Sequence, residues 1–93
     1  YDAKEIINTV CQQMNVNEKI ITARTRQRDA VRVRNVVMFL IKKYTDLSLS
    51  QIGAYVHRDH ATVAHSLNSM EEQMSYDAVL RQEVAAIERA LGR

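Results

Sequence analysis

Proline is absent from this 93-residue chain, and glycine occurs only at positions 53 and 92. β-Sandwiches and barrels need many such turn residues, so the expectation is an all-α fold. Cys11 is the only cysteine, which excludes an internal disulfide and any cysteine-rich zinc site. It lies on a helical stripe with Ile7, Val10 and Met14 and reads as a small buried hydrophobe. No apolar run approaches the ~20 residues a membrane helix needs, and no signal-peptide pattern opens the chain. A cytoplasmic protein with no membrane partner is expected. The length suits a single domain over residues 1–93 with one modest core.

What is present is an uneven distribution of charge. The formal net charge is only +2. From Lys19 to Lys43, however, eight positive residues (Lys19, Arg24, Arg26, Arg28, Arg32, Arg34, Lys42, Lys43) face Asp29 alone. A merely solvated surface mixes both signs, whereas a one-sign block is the footprint of a phosphate-binding face. Within it, Thr22–Arg28 (TARTRQR) has no apolar period and alternates arginine with small or polar residues. It reads as a basic loop suited to phosphates or to the narrow minor groove of A·T-rich DNA.

Ser48 to Met70, SLSQIGAYVHRDHATVAHSLNSM, organises the rest. Ser48 with Gln51 three residues on matches a capping box, and Leu49, Ile52 and Val56 share one helical face. After a short turn at Val56-His57-Arg58, Asp59 is placed to cap a second helix whose apolar stripe is Val63, Leu67, Met70 and Met74. A scaffold helix over about 48–56 and a second helix over about 59–74 with a polar start form a helix-turn-helix. In that motif the N-terminal residues of the second helix enter the DNA major groove. Arg58, Asp59, His60 and Thr62 are therefore the candidates for the groove floor or its edge. Asp59 is suited to accept from a cytosine amino group, His60 to meet a base edge, and Ala61 to touch a thymine methyl. His65, one turn on, is within reach of a phosphate or a base. Gly53 is expected to permit close approach of the recognition helix, offsetting the roughly 1 kcal/mol of helix propensity it forgoes against alanine.

The run TDLSLSQIGAYVHRDHATVAHS resembles the signature of domain IV, the C-terminal DNA-binding domain of the bacterial replication initiator DnaA. That family shows S-L-x-x-I-G and then G-G-R-D-H-[ST]-T-V-x-H. Ser48-Leu49, Ile52-Gly53, Arg58-Asp59-His60, Thr62-Val63 and His65 match. His57 alone replaces the family's Gly-Gly, making the turn one residue shorter, which bears on the angle between the helices. Ala61 stands where the family has serine or threonine, so a hydroxyl is missing and a methyl remains. The opening of the chain is also similar, so the likeness covers nearly all of it. The resemblance implies a compact, Trp-repressor-like bundle of five to six helices that binds A·T-rich DnaA-box-like sites. It implies that Arg26 enters the minor groove, with Arg24 and Arg28 beside it, and that Arg34, Asn35 and Lys42 touch the DNA backbone. Ser48 and Ser50, at the start of the scaffold helix, complete the expected phosphate set.

Elsewhere, Asp2–Met14 reads as a first helix with Asp2 as its cap, and Glu18–Ile21 as one short helical turn. Asp29 is read as the cap of a long central helix to about Tyr44, with Ala30, Val33, Val36, Val37, Leu40 and Ile41 facing inward. Ser75 is read as the cap of a last helix, Tyr76–Leu91, with Ala78, Val79, Val84, Ile87 and Leu91 as its stripe. Catalysis is not expected. The three histidines lie at no metal-ligand spacing, no nucleophile pattern occurs, and no glycine-rich phosphate loop exists. No cofactor is expected in this chain; ATP would enter only with a separate ATPase domain, which the start at Tyr1 leaves room for. Double-stranded DNA is the expected partner, in a nucleoid-associated setting, with other initiator or regulatory proteins beside it. The alternatives are a stand-alone transcriptional regulator of the same fold, or a helical protein-interaction module without specific DNA binding.

Overall fold

A computed structural model describes residues 1–92; Arg93, the end of the expected 1–93 domain, lies outside the described residues. Six helices follow one another: α1 (Ala3–Met14), α2 (Lys19–Thr22), α3 (Arg28–Tyr44), α4 (Leu49–Val56), α5 (His60–Met74) and α6 (Ala78–Ala90). No strand occurs among the described residues, so the all-α expectation holds.

The helices begin and end where local chemistry allows. The Asp2 carboxylate accepts from the Glu5 amide at 2.8 Å, and Asn15, at φ 57°, ends α1 in the left-handed region that asparagine tolerates. At about 25 Å for 17 residues, α3 spans a molecule measuring 28 × 27 × 25 Å. It packs against α1, α2, α4 and α5, which explains its broad apolar face. Val36, Val37, Leu40 and Ile41 are fully buried there with Ile6 and Val10 of α1, Ile52 and Val56 of α4, and Val63 of α5.

Two expected caps are corrected. Helix α3 starts one residue before Asp29, at Arg28 after Gln27, and no side chain caps it. Asp29 sits in the first turn, where its charge favours the helix dipole. Helix α6 is capped by Asp77, whose carboxylate accepts from the Leu80 amide at 3.0 Å, while Ser75 ends α5. The change moves the stripe. Leu80, Val84, Ile87 and Leu91 are buried, whereas Val79 is 64% exposed and Ala78 also faces solvent.

Cys11 is buried as expected. Burial, with the Glu18 charge adding to it, pushes its thiol from 9.0 up to about 11. Only the thiolate is nucleophilic. Native Cys11 should therefore resist a disulfide reagent at about pH 8 and react stoichiometrically once urea unfolds the chain. Rapid labelling of the native domain would contradict this placement. Because the folded thiol holds its proton to higher pH, this group's contribution to stability is lost as pH rises from 9.0 towards 11.

Candidate nucleic-acid interface

The helix-turn-helix is built by its ends. Ser48 Oγ accepts from the Gln51 amide at 3.1 Å and Gln51 Oε1 from the Ser48 amide at 2.8 Å, completing the capping box of α4. His57, at φ 55°, carries the left-handed turn that follows. Histidine is among the side chains that tolerate this region. The Arg58 amide then donates to the Gly53 carbonyl at 3.0 Å, the long bond of a Schellman ending. A Cβ on Gly53 would lie well inside 3.0 Å of the Arg58 carbonyl oxygen and 3.4 Å from a Val63 methyl. The glycine thus admits the backbone of the turn first and the recognition helix second.

Asp59 caps α5, its carboxylate accepting from the Thr62 amide at 2.8 Å. That bond holds the acid below the ordinary carboxylate range, so it stays an acceptor. Val63 and Met70 of α5 are buried, with Leu67 and Met74 half-buried beside them. His60, Ala61, Thr62 and His65 are exposed together at its N-terminal end. Asn68, which sequence reasoning passed over, is exposed seven residues beyond Ala61. The 61–65–68 spacing places it on their face and was readable from the helical period. Ser50 is exposed on the first turn of α4.

The arginine block divides. Arg24, Arg26 and Arg28 are exposed, and Arg24, Thr25, Arg26, Arg34, His57 and Arg58 line one concave surface joining the loop to the turn. Arg26 and Arg28 also border a groove with Asn35, which is half-buried, and Gln73. Lys42 is exposed and shares a groove with Phe39, Lys43, Leu67, Asn68 and Glu71, beside α5. Arg32 lines the groove of Arg26 and Arg28, and Lys43 that of Lys42, but each is paired: Arg32 is hydrogen-bonded to Glu83, and Lys43 to Glu88 at 2.6 Å. The acids of α6 therefore neutralise two cations of the block, while the surface where the loop meets the turn has no carboxylate among its lining residues.

Arg34 is the clearest departure from expectation. Its side chain is 5% exposed and donates to the carbonyls of Ile20 (3.3 Å), Ala23 (3.2 Å) and Thr25 (2.6 Å). A guanidinium spent on three backbone acceptors braces the loop from inside and is not laid out as a phosphate contact. Burial, then the nearby Arg58 charge, lowers its pKa. Arg58, expected at a base edge, is half-buried and donates to the carbonyls of Val56, His57 and Ala23. Among the described residues no group of three acidic, histidine or cysteine side chains is placed to hold a metal, and no helix is long and apolar enough to cross a membrane.

Known sequences match this arrangement. A family model described as the bacterial dnaA protein helix-turn-helix matches residues 3–70. The chain belongs to the bacterial DnaA helix-turn-helix family. It is 35% identical over 88 residues to a chromosomal replication initiator protein DnaA of Bacteroides thetaiotaomicron, covering 94% of this chain and 19% of that protein. The DnaA of Roseiflexus castenholzii is 39% identical over 87 residues, covering 92% of this chain and 18% of the relative. That of Bacteroides fragilis is 36% identical over 88 residues, with 94% and 18% covered. The chain thus spans less than a fifth of the length of these DnaA relatives. The DnaA helix-turn-helix segment, residues 3–70, takes in α1 to α4 and most of α5, and leaves α6 as the brace behind it.

Proposed function

We propose that this chain binds double-stranded DNA in a sequence-specific way and recognises A·T-rich, DnaA-box-like sites in replication initiation or its regulation. The N-terminal turn of α5 lies in the major groove, and the arginine loop at residues 23–27 reaches the adjacent minor groove. The same chemistry serves the DNA-binding part of a full initiator or a stand-alone regulator. No cofactor takes part in this reading.

The observation that carries the proposal is the shared concave surface of the arginine loop and the turn, with no carboxylate among its lining residues. It adjoins the exposed start of α5. Glu71 and Glu72 are exposed at the far end of the same helix. A polyanion is favoured at the first end and repelled at the second, which orients α5 as a helix read by its N-terminal residues. Asp59, His60, Ala61, Thr62 and His65 then face bases. Arg24, Arg28, Asn35, Lys42, Ser48 and Ser50 face phosphates, which position the domain without specifying sequence.

Two substitutions separate these roles. His60→Ala should reduce preference for a box duplex over a scrambled one by about tenfold, since a good base contact is worth roughly 1–3 kcal/mol. Arg24→Ala should weaken both duplexes alike and lower the log–log salt slope by about 1. Unchanged preference in the first variant and an unchanged slope in the second would count against the proposal.

A further inference from the structure

Two guanidinium groups from different parts of the fold converge on the backbone of the arginine loop. Arg34 reaches it from α3. Arg58 reaches it from the helix-turn-helix turn, donating to the Ala23 carbonyl at 2.7 Å while its other terminal nitrogen donates to Val56 (2.9 Å) and His57 (3.1 Å). The Ala23 carbonyl accepts from both arginines. Arg34 ties the loop to α3, whereas Arg58, the residue before Asp59, the cap of the recognition helix, ties it to the turn.

We infer that Arg58 is a positioning residue, which fixes the arginine loop to the helix-turn-helix turn so that loop and recognition helix meet DNA as one rigid unit. This rests on the DNA-binding reading above. Residues 23–27 lie between α2 and α3, joined to the latter where the Gln27 carbonyl accepts from the Val31 amide at 3.0 Å. A loop left to order on the duplex would subtract that entropy from affinity, and a loop already held would not. The fork geometry of arginine lets one side chain bridge carbonyls on two segments, which a lysine ammonium on its flexible stem does less rigidly. The exposed Arg24 and Arg26 flank the Thr25 carbonyl that Arg34 holds, and Arg24 directly follows the Ala23 carbonyl shared with Arg58. To read a base, Arg58 would have to leave three carbonyls and release the loop.

The test combines two readouts on Arg58→Ala, Arg58→Lys, Arg26→Ala and the Arg58→Ala/Arg26→Ala double variant. The first is backbone 15N relaxation without DNA. Amides of residues 24–26 should fall from rigid order parameters of about 0.85 to below about 0.6 in Arg58→Ala. Those of α5 should stay rigid, which also shows that the variant folds. The second is affinity for a box duplex. Arg58→Ala should lose about tenfold, and Arg58→Lys most of that. The loss should shrink to about threefold when Arg26 is already alanine, because one of the loop's two contacts is then gone and Arg24 alone remains to be positioned. A loop that stays rigid in Arg58→Ala overturns the inference. So does a loss of equal size in the Arg26→Ala background, which is the additivity of two independent DNA contacts. If the unmutated domain bound no duplex, the DNA reading would fail, and the relaxation data alone would decide whether Arg58 holds the loop.

Discussion

Arg34→Met is expected to lower the stability of the domain by about 3 kcal/mol, a fall in Tm of more than about 10 °C for a chain of this size. The substitution keeps an apolar stem of similar length and removes the donors to Ile20, Ala23 and Thr25. Hydrogen bonds from a charged donor are worth about 1.5–3 kcal/mol each, but loop carbonyls regain water once released, so the sum is discounted. The loop should also detach, and affinity for any duplex should drop with it. Thermal denaturation followed by circular dichroism decides the point. If Arg34 were a surface phosphate contact, Tm would be unchanged and only the salt slope of DNA binding would fall.

Gly53→Ala should destabilise by about 2 kcal/mol, although alanine is the better helix former. The propensity gain is about 1 kcal/mol. Against it stands the overlap of the new methyl with the Arg58 carbonyl oxygen. That neighbour is backbone, between the Schellman bond of Arg58 and the cap at Asp59, and cannot rotate aside as a side chain can. Overpacking typically costs about 1–3 kcal/mol and occasionally more, and an overlap this deep with backbone belongs at the top of that range, about 3 kcal/mol, which leaves a net loss of about 2. The shift needed to relieve it moves the start of α5, so DNA preference should suffer together with stability. Urea denaturation is the check; a variant as stable as the parent would mean that the turn is looser than the structure describes.

These two sites also show what the sequence could and could not reveal. The Ser48–Gln51 box, the Asp59 cap and the 63–67–70 stripe are local chemistry, and each was legible from residues three or four apart. Gly53 was legible as a close approach, though its partner proved to be the turn backbone before the recognition helix. Arg34 was misjudged from its charge. Ala30, Val37, Met38 and Ile41, three, four and seven positions away, are all buried, so the helical period sets it within the apolar stripe of α3. The carbonyls of residues 20–25 that take its donors are brought there only by the tertiary fold. For the same reason the basic block read as one face. The carboxylates that divide it, Glu83 and Glu88, stand some 50 and 45 positions away from their partners Arg32 and Lys43. At the start of α6, Ser75 and Asp77 were both competent caps, and packing of Leu80 in place of Val79 decided between them. His57 announced a shorter turn but not its left-handed conformation.

The claim at the centre is that the exposed start of α5 reads bases while the arginine loop supplies salt-sensitive affinity. Fluorescence anisotropy with two duplexes, a DnaA-type box and its scramble, each at low and near-physiological salt, tests it most directly. The account predicts that both bind at low salt and that only the box keeps substantial affinity at the higher salt, because base contacts survive screening that weakens phosphate contacts. Equal affinities for the two duplexes, collapsing together as salt rises, would contradict it and leave the arginine block as the only part at work.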